Sequence, residues 1–218
     1  MKIDNISQNT SFQMNYKVLT MRNVKKDFTK AVEKSIKDIP DQWGEVLKRN
    51  NYKLYCSNSI ADIFENEKLA REGAPEWEAV TCTYPLYRFM AITTRVEPKD
   101  IQKVVNHEAA HGILDCEGLM ENRDLLDSLY YDMQKLPKRE PDNHNHDMFE
   151  VKNLLIKPLS EYFQTEVCAD ILAWIHTGGG LWGSGYKNSI KNKTLLKENF
   201  PDTFEFLSNY KIGERKSV

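Results

Sequence analysis

The sequence predicts one α+β domain that is mainly helical, with a small antiparallel β-sheet ahead of its central helix. The chain has 218 residues, of which 40% are hydrophobic and 28% charged, a composition that suits a single soluble domain with a sizeable core. Helical spacing of apolar residues dominates, whereas β-branched and aromatic residues concentrate in two segments before residue 100. Since no internal repeat or linker interrupts the pattern, we expect a single domain over residues 21–218.

The N-terminal part of the chain predicts a leader followed by two helices. Residues 1–15 are rich in Asn, Ser, Gln and Thr and poor in core-forming residues, so we expect a flexible leader over residues 1–20. Bacterial type III secretion signals have a similar composition, which makes a secretion signal a possible function for it. From Val24 to Lys48 the spacing is helical with charged outer faces, and Pro40 interrupts it.

Two segments dense in β-branched and aromatic residues predict the small antiparallel sheet. They are NYKLYCS, residues 51–57, and WEAVTCTYPLYRFMAITTRV, residues 77–96, with a turn at Pro85. A helix from about Asp100 to Cys116 follows, closed by Gly118.

The second half of the chain predicts further helices around an irregular connection. Residues 119–157 begin as a helix and continue into KLPKREPDNHNHDMFEVK, whose prolines and asparagines resist regular structure. Its histidines, His144 and His146, fit an exposed polar loop better than a second metal site. A strong helix runs from about Pro158 to His176, and the tail predicts a terminal amphipathic helix or pair, broken near Pro201.

Charge, hydropathy and cysteine spacing exclude several classes of function. The formal net charge of -2, without a basic stripe, predicts no nucleic-acid partner. No apolar run approaches the roughly 20 residues that a transmembrane helix needs, so we expect no membrane partner. The four cysteines are scattered without a CxxC pair, which indicates free thiols rather than a zinc ribbon or a disulfide framework. We expect a monomer.

The most informative stretch is VVNHEAAHGIL, residues 104–114, in the middle of the predicted central helix. His107 and His111 stand four apart, so both imidazoles can point at one ion, and Glu108 lies beside the first. Two core histidines sharing a face are the alternative, but the full His-Glu-x-x-His pattern is much rarer than a lone buried histidine. We interpret it as a zinc site in which Glu108 is the general base.

A catalytic zinc usually has three protein ligands, so a third is needed. The candidates downstream are His144, His146, His176 and several acidic residues. Glu166 and Asp170 are again four apart, on a helix whose flanking residues are apolar. One carboxylate can bind metal while the other supports it, and Asp170 is placed to accept the second ring N–H of His107.

The two motifs together resemble the gluzincin zinc metalloproteases, and most of all the catalytic domain of anthrax lethal factor and its relatives, which include the Pro-Pro endopeptidases. HEAAHGILD, the later EVCADILAWIH and the closing LLKENFPDTFEFLSNYKI carry the resemblance, over about residues 75–212. It implies a zincin-type domain with one Zn²⁺ held by His107, His111 and Glu166. Asp170 would orient His107, and Asp115, which matches the aspartate of an HExxHxxxD continuation, would likewise support the site without binding the metal.

The chain departs from this family at one position. A tyrosine seven residues before the ligand glutamate stabilises the oxyanion in lethal-factor-like enzymes, but Leu159 stands there in this chain. Tyr162, one turn closer on the same face, is a replacement candidate for this catalytic role, and packing in the core explains it equally well. Tyr186 is a second, looser candidate.

The resemblance implies a zinc endopeptidase that cleaves a protein or peptide substrate. With the leader, it favours a bacterial effector or toxin, secreted or injected into a host cell, that acts on a host protein. Two alternatives remain: a regulatory peptidase of the bacterial cytoplasm, and a zinc-binding interaction protein without catalysis. Glu108 argues against the latter, because a closed structural site needs no base. A substrate strand could add to the edge of the small sheet.

Overall fold

The computed structural model describes residues 17–67, 78–84, 86–135, 161–178, 194 and 196–214. The elements in chain order are β1 (Val18–Thr20), α1 (Lys26–Lys37), α2 (Asp41–Arg49), β2 (Lys53–Ser57), α3 (Ile60–Asn66), β3 (Ala79–Tyr84), β4 (Tyr87–Thr93), α4 (Ile101–Cys116), a 3₁₀ turn (Leu119–Glu121), α5 (Arg123–Lys135), α6 (Glu161–Thr177) and α7 (Pro201–Asn209). The predicted α+β class, with helices outweighing a small sheet, is confirmed.

The sheet is mixed, so the prediction of an antiparallel sheet was wrong. Its strand order is β1-β2-β4-β3; β1 pairs with β2 and β2 with β4 in parallel, and only the β3–β4 hairpin is antiparallel. Residue composition identifies a strand but not its direction. The direction follows from the connections: α1 and α2 lie between β1 and β2, and such a helical crossover returns the chain parallel to its first strand.

The predicted helices of the N-terminal half are present. The segment around Pro40 forms two helices, and Pro40 itself precedes α2. Two short elements had no counterpart in the predictions. The first, β1, occupies the last three residues of the predicted leader, whose residues 1–16 lie outside the described ranges. The second is α3, which begins after Ser59, whose hydroxyl accepts a hydrogen bond from the Asp62 N–H.

Helix α4 lies at the centre of the fold, and twelve of its sixteen residues are buried. It packs against α1, α2 and α6 and against strands β3 and β4. Such a helix must be apolar on nearly every face, so buried polar side chains on it need partners. Gly118, with φ of 61°, ends this segment in the left-handed conformation, as predicted from its position.

The C-terminal elements close the other side of α4. Helix α6 matches the predicted strong helix, and α7 begins at Pro201, where the tail was predicted to break. The irregular connection with His144 and His146 lies outside the described residues. No helix in the described ranges combines the length and the apolar character needed to cross a membrane.

Candidate metal centre

Two histidines on α4 form the first part of the site. His107 and His111 are one turn apart, and their Nε2 atoms lie 3.0 Å from each other with the ring planes at 82°. His107 is buried, with 2% of its surface exposed, while His111 is partly buried. Two imidazole nitrogens this close need a proton or a cation between them, because two lone pairs facing each other repel.

Helix α6 supplies a carboxylate to the same point. Glu166 Oε2 lies 3.1 Å from His107 Nε2, and Glu166 Oε1 lies 3.3 Å from His111 Nε2. One ligand atom from each of the three side chains falls within 4.8 Å of the others. The structure therefore brings His107, His111 and Glu166 into a cluster that could bind a metal ion. His107 and Glu166 are 59 residues apart in the sequence.

Asp170 lies behind the first histidine. One turn after Glu166, its Oδ1 is 3.1 Å from His107 Nδ1, and its side chain is buried. When the ring is neutral and Nδ1 donates a hydrogen bond to this carboxylate, the lone pair of His107 is on Nε2, the atom that faces Glu166 and His111. Asp170 thus fixes both the tautomer and the orientation of the ring.

Two carboxylates, those of Glu166 and Asp170, contact the imidazole of His107. Burial by itself disfavours the charged form of His107, but hydrogen bonds to Asp170 and Glu166 outweigh it and raise the pKa of His107 to about 10. Burial likewise acts to raise the pKa of Glu166, yet hydrogen bonds from His107 and His111 hold it well below its usual range. Buried carboxylates around two imidazoles favour a cation at their centre, whether a proton or a metal.

Glu108 lies beside the cluster, on the side of α4 that faces the sheet. Only 7% of its surface is exposed. Thr81 Oγ1, on strand β3, is 2.6 Å from Glu108 Oε2 and 2.8 Å from the Glu108 main-chain carbonyl. Sequence reasoning missed Thr81, because a threonine in a strand is ordinary and only the packing of β3 on α4 brings it to Glu108.

Asp115, one turn after His111, contacts Tyr52 and Arg88. Its Oδ2 accepts a hydrogen bond from the Tyr52 hydroxyl at 2.9 Å and forms an ion pair with Arg88 Nε at 3.0 Å. Burial, followed by the nearby Asp115 charge, raises the pKa of Tyr52. These contacts tie the end of α4 to the start of β2 and to β4.

The remaining candidates are not part of the cluster. His176, in the last turn of α6, packs its ring against Trp43 with the centroids 5.6 Å apart, and burial lowers its pKa. Tyr162 belongs to α6, but its side chain lies outside the described residues, as do Leu159, Tyr186, His144 and His146. The roles predicted for Tyr162 and Tyr186 stay predictions.

The donor set suits a zinc ion. Tetrahedral zinc with Zn–N distances of about 2.0–2.1 Å separates neighbouring donor atoms by about 3.3–3.4 Å. The separations of 3.0, 3.1 and 3.3 Å between donor atoms of the cluster are close to that value. The cluster has three members among the described residues.

No protein-family model matches the sequence, and no curated protein matches it. A functional conclusion must therefore come from the chemistry of the site.

Proposed function

We propose that this protein is a zinc-dependent endopeptidase of the zincin type. The observation that carries the proposal is the meeting of His107, His111 and Glu166 at one point, with Glu108 next to them. Hydrolysis by an activated water requires three protein donors that leave one coordination position of the metal open for the water. It also requires a carboxylate nearby that is not a ligand and can accept a proton.

Each residue of the site has a distinct role in this proposal. His107, His111 and Glu166 would hold one Zn²⁺, which polarises the scissile carbonyl and lowers the pKa of water when it is bound. Glu108 takes a proton from the attacking water and later delivers it to the leaving amine, so it is the general base and then the general acid. Asp170 keeps the His107 lone pair on Nε2.

The edge of the sheet supports a peptide as the substrate. Among the described residues, β3 has a hydrogen-bonded neighbour, β4, on one side only. An extended peptide could therefore pair with the other side of β3 through main-chain hydrogen bonds. Because Thr81 of β3 contacts Glu108, a peptide bound there would pass close to the general base.

The resemblance to lethal-factor-like enzymes extends the proposal to a bacterial effector or toxin acting on a host protein. This extension concerns the target and leaves the chemistry of the site unchanged. A regulatory peptidase would use the same zinc, the same ligands and the same base.

The test combines metal content with a search for cleavage products. We expect one zinc per chain in the wild type and in Glu108→Gln, because Glu108 is not a ligand. Host-cell lysate treated with zinc-loaded wild type should gain new protein amino termini, whereas lysate treated with Glu108→Gln should not.

Glu121→Gln, which alters an exposed glutamate just beyond α4, is the matched control and should behave as wild type. Identical amino termini in the wild-type and Glu108→Gln samples, at stoichiometric zinc, would refute the proposal.

A further inference from the structure

One hydroxyl group, that of Thr81, contacts both ends of the residue that we propose as the general base. It lies 2.6 Å from the Glu108 carboxylate and 2.8 Å from the carbonyl of the same residue. We propose that Thr81 is a positioning residue, which holds the Glu108 carboxylate in the place where it accepts a proton from water. This inference rests on the proposed function.

A glutamate side chain needs such a restraint. It has three rotatable bonds, so the helix fixes its Cα without fixing its carboxylate, and catalysis loses rate when a reacting group is misplaced by about 1 Å. The contact with Thr81 removes that freedom by holding Oε2 of the carboxylate.

Thr81 is itself well anchored. It pairs with Met90 in the antiparallel β3–β4 register, and Met90 is buried in the main core with 1% of its surface exposed. A β-branched side chain on a strand also has restricted χ1 freedom. The Thr81 hydroxyl is thus fixed to strand β3, whereas the Glu108 carboxylate is on α4. Their contact sets the position of Glu108 relative to β3, the strand with which a substrate peptide would pair.

A hydroxyl can keep this contact throughout a proton-transfer cycle. It carries one proton and two lone pairs. While Glu108 is a carboxylate, Thr81 donates to Oε2. Once Glu108 has taken a proton on Oε1, Thr81 keeps donating to Oε2, so the new proton stays available for the leaving amine. No heavy atom needs to move between the two arrangements.

The kinetic test compares Thr81→Val, Thr81→Ser and Thr94→Val. The probe is a quenched fluorescent peptide built on a sequence that zinc-loaded wild type cleaves in a mixed-sequence peptide library. Valine keeps the shape of threonine without its hydroxyl, so we expect kcat to fall by about 10- to 100-fold, within the range that general-base catalysis contributes, with little change in KM. Serine restores the hydroxyl and should recover most of kcat. Thr94→Val removes a threonine hydroxyl that donates to Asn58, and it should match wild type.

A second measurement needs no turnover and no metal. The measurement is thermal unfolding in the presence of chelator. It compares wild type, Thr81→Val, Glu108→Ala and the double variant, and it shows whether the two side chains interact. We expect the shifts in unfolding midpoint to be non-additive, with Thr81→Val lowering the midpoint more in the wild-type background than in Glu108→Ala. Should Thr81→Val fail to fold, Thr81→Ala replaces it against the same serine variant.

The outcomes separate this inference from the proposed function. Full kcat in Thr81→Val beside an inactive Glu108→Gln overturns the positioning role and leaves the peptidase standing. A loss confined to KM, or additive midpoint shifts, overturns it as well, since either would mean that Thr81 serves binding or folding only. If zinc-loaded wild type cleaved nothing in the library, the proposed function and this inference would both fail.

Discussion

At the scale of single residues, the site depends on a carboxylate that decides which nitrogen of His107 is available. Asp170 accepts a hydrogen bond from the Nδ1–H group of His107, so Nε2 is left for a ligand. Such outer partners hold the ring orientation that metal binding needs, and they strengthen the basicity of the imidazole. Asp115, although it also follows the motif at four-residue spacing, contacts Tyr52 and Arg88 instead. The two aspartates should therefore respond differently to substitution.

We predict that Asp170→Ala lowers zinc affinity by about 10- to 100-fold, because His107 loses the acceptor that fixes its tautomer. Competition with a chromogenic chelator measures the affinity directly. Asp115→Ala is the comparison, and it should change zinc affinity much less. Equal losses in the two variants would show that Asp115 supports the metal ligands as Asp170 does.

At the scale of secondary-structure elements, close contacts between helices determine where the ligands lie. Helix α4 approaches α2 at Gly112, where an added Cβ would come within 2.5 Å of Leu47 Cδ2 and 3.4 Å of Tyr52 Cε1. Gly112 directly follows His111, which is a candidate metal ligand. The close approach of α4 to α2 at Gly112 therefore also sets the position of His111. Helix α7, in turn, is held at its start by Asp132 of α5.

Gly112→Ala should destabilise the wild-type protein by about 1 kcal/mol. Overpacking a core costs about 1–3 kcal/mol, which exceeds the gain of about 1 kcal/mol from placing alanine rather than glycine in a helix. In a Leu47→Ala background the clash is gone, and the same substitution should be neutral or stabilising. Denaturant unfolding of the four proteins measures this. A stabilising Gly112→Ala in the wild-type background would contradict the close approach.

Asp132→Ala should lower the free energy of unfolding by about 2 kcal/mol or more. The Asp132 carboxylate accepts hydrogen bonds from the Asp202 and Thr203 main-chain N–H groups and from the Thr203 hydroxyl. Both Asp132 and Thr203 are fully buried, so its loss removes a helix cap and leaves buried donors without an acceptor. Lys135→Ala breaks only the exposed ion pair with Asp202 and should have little effect. Similar unfolding curves for the two variants would argue against the cap.

At the scale of the whole molecule, the candidate site joins two parts of the chain that are far apart in sequence. His107 and His111 belong to α4, Glu166 belongs to α6, and the two helices pack along each other in the main core. The sheet lies on another side of α4 and brings Glu108 into contact with β3. A ligand bound by all three donors would therefore connect the N-terminal and C-terminal halves of the fold.

Zinc should stabilise the whole domain. At a free zinc concentration about 1,000 times the Kd, a ligand that binds only the folded state adds about 4 kcal/mol to the free energy of unfolding. We expect the unfolding midpoint of metal-free protein to rise on zinc addition and to fall again with chelator. Glu166→Gln should lose most of this rise, because a neutral amide is a poor ligand for zinc. An unchanged midpoint in wild type would contradict a site shared by α4 and α6.

The α+β class, the main helices and the candidate metal ligands could all be predicted from the amino-acid sequence. Helical period and the four-residue spacing within each motif are local properties, so they can be read from neighbouring residues. The family resemblance suggests Glu166 as the third ligand, but the mixed order of the sheet, the partners of Asp115 and the place of Thr81 emerge only from the packing of the folded chain. Each of these features depends on which elements pack together, and those elements are tens of residues apart in the sequence. The burial that drives such packing depends on the whole core and not on any single segment.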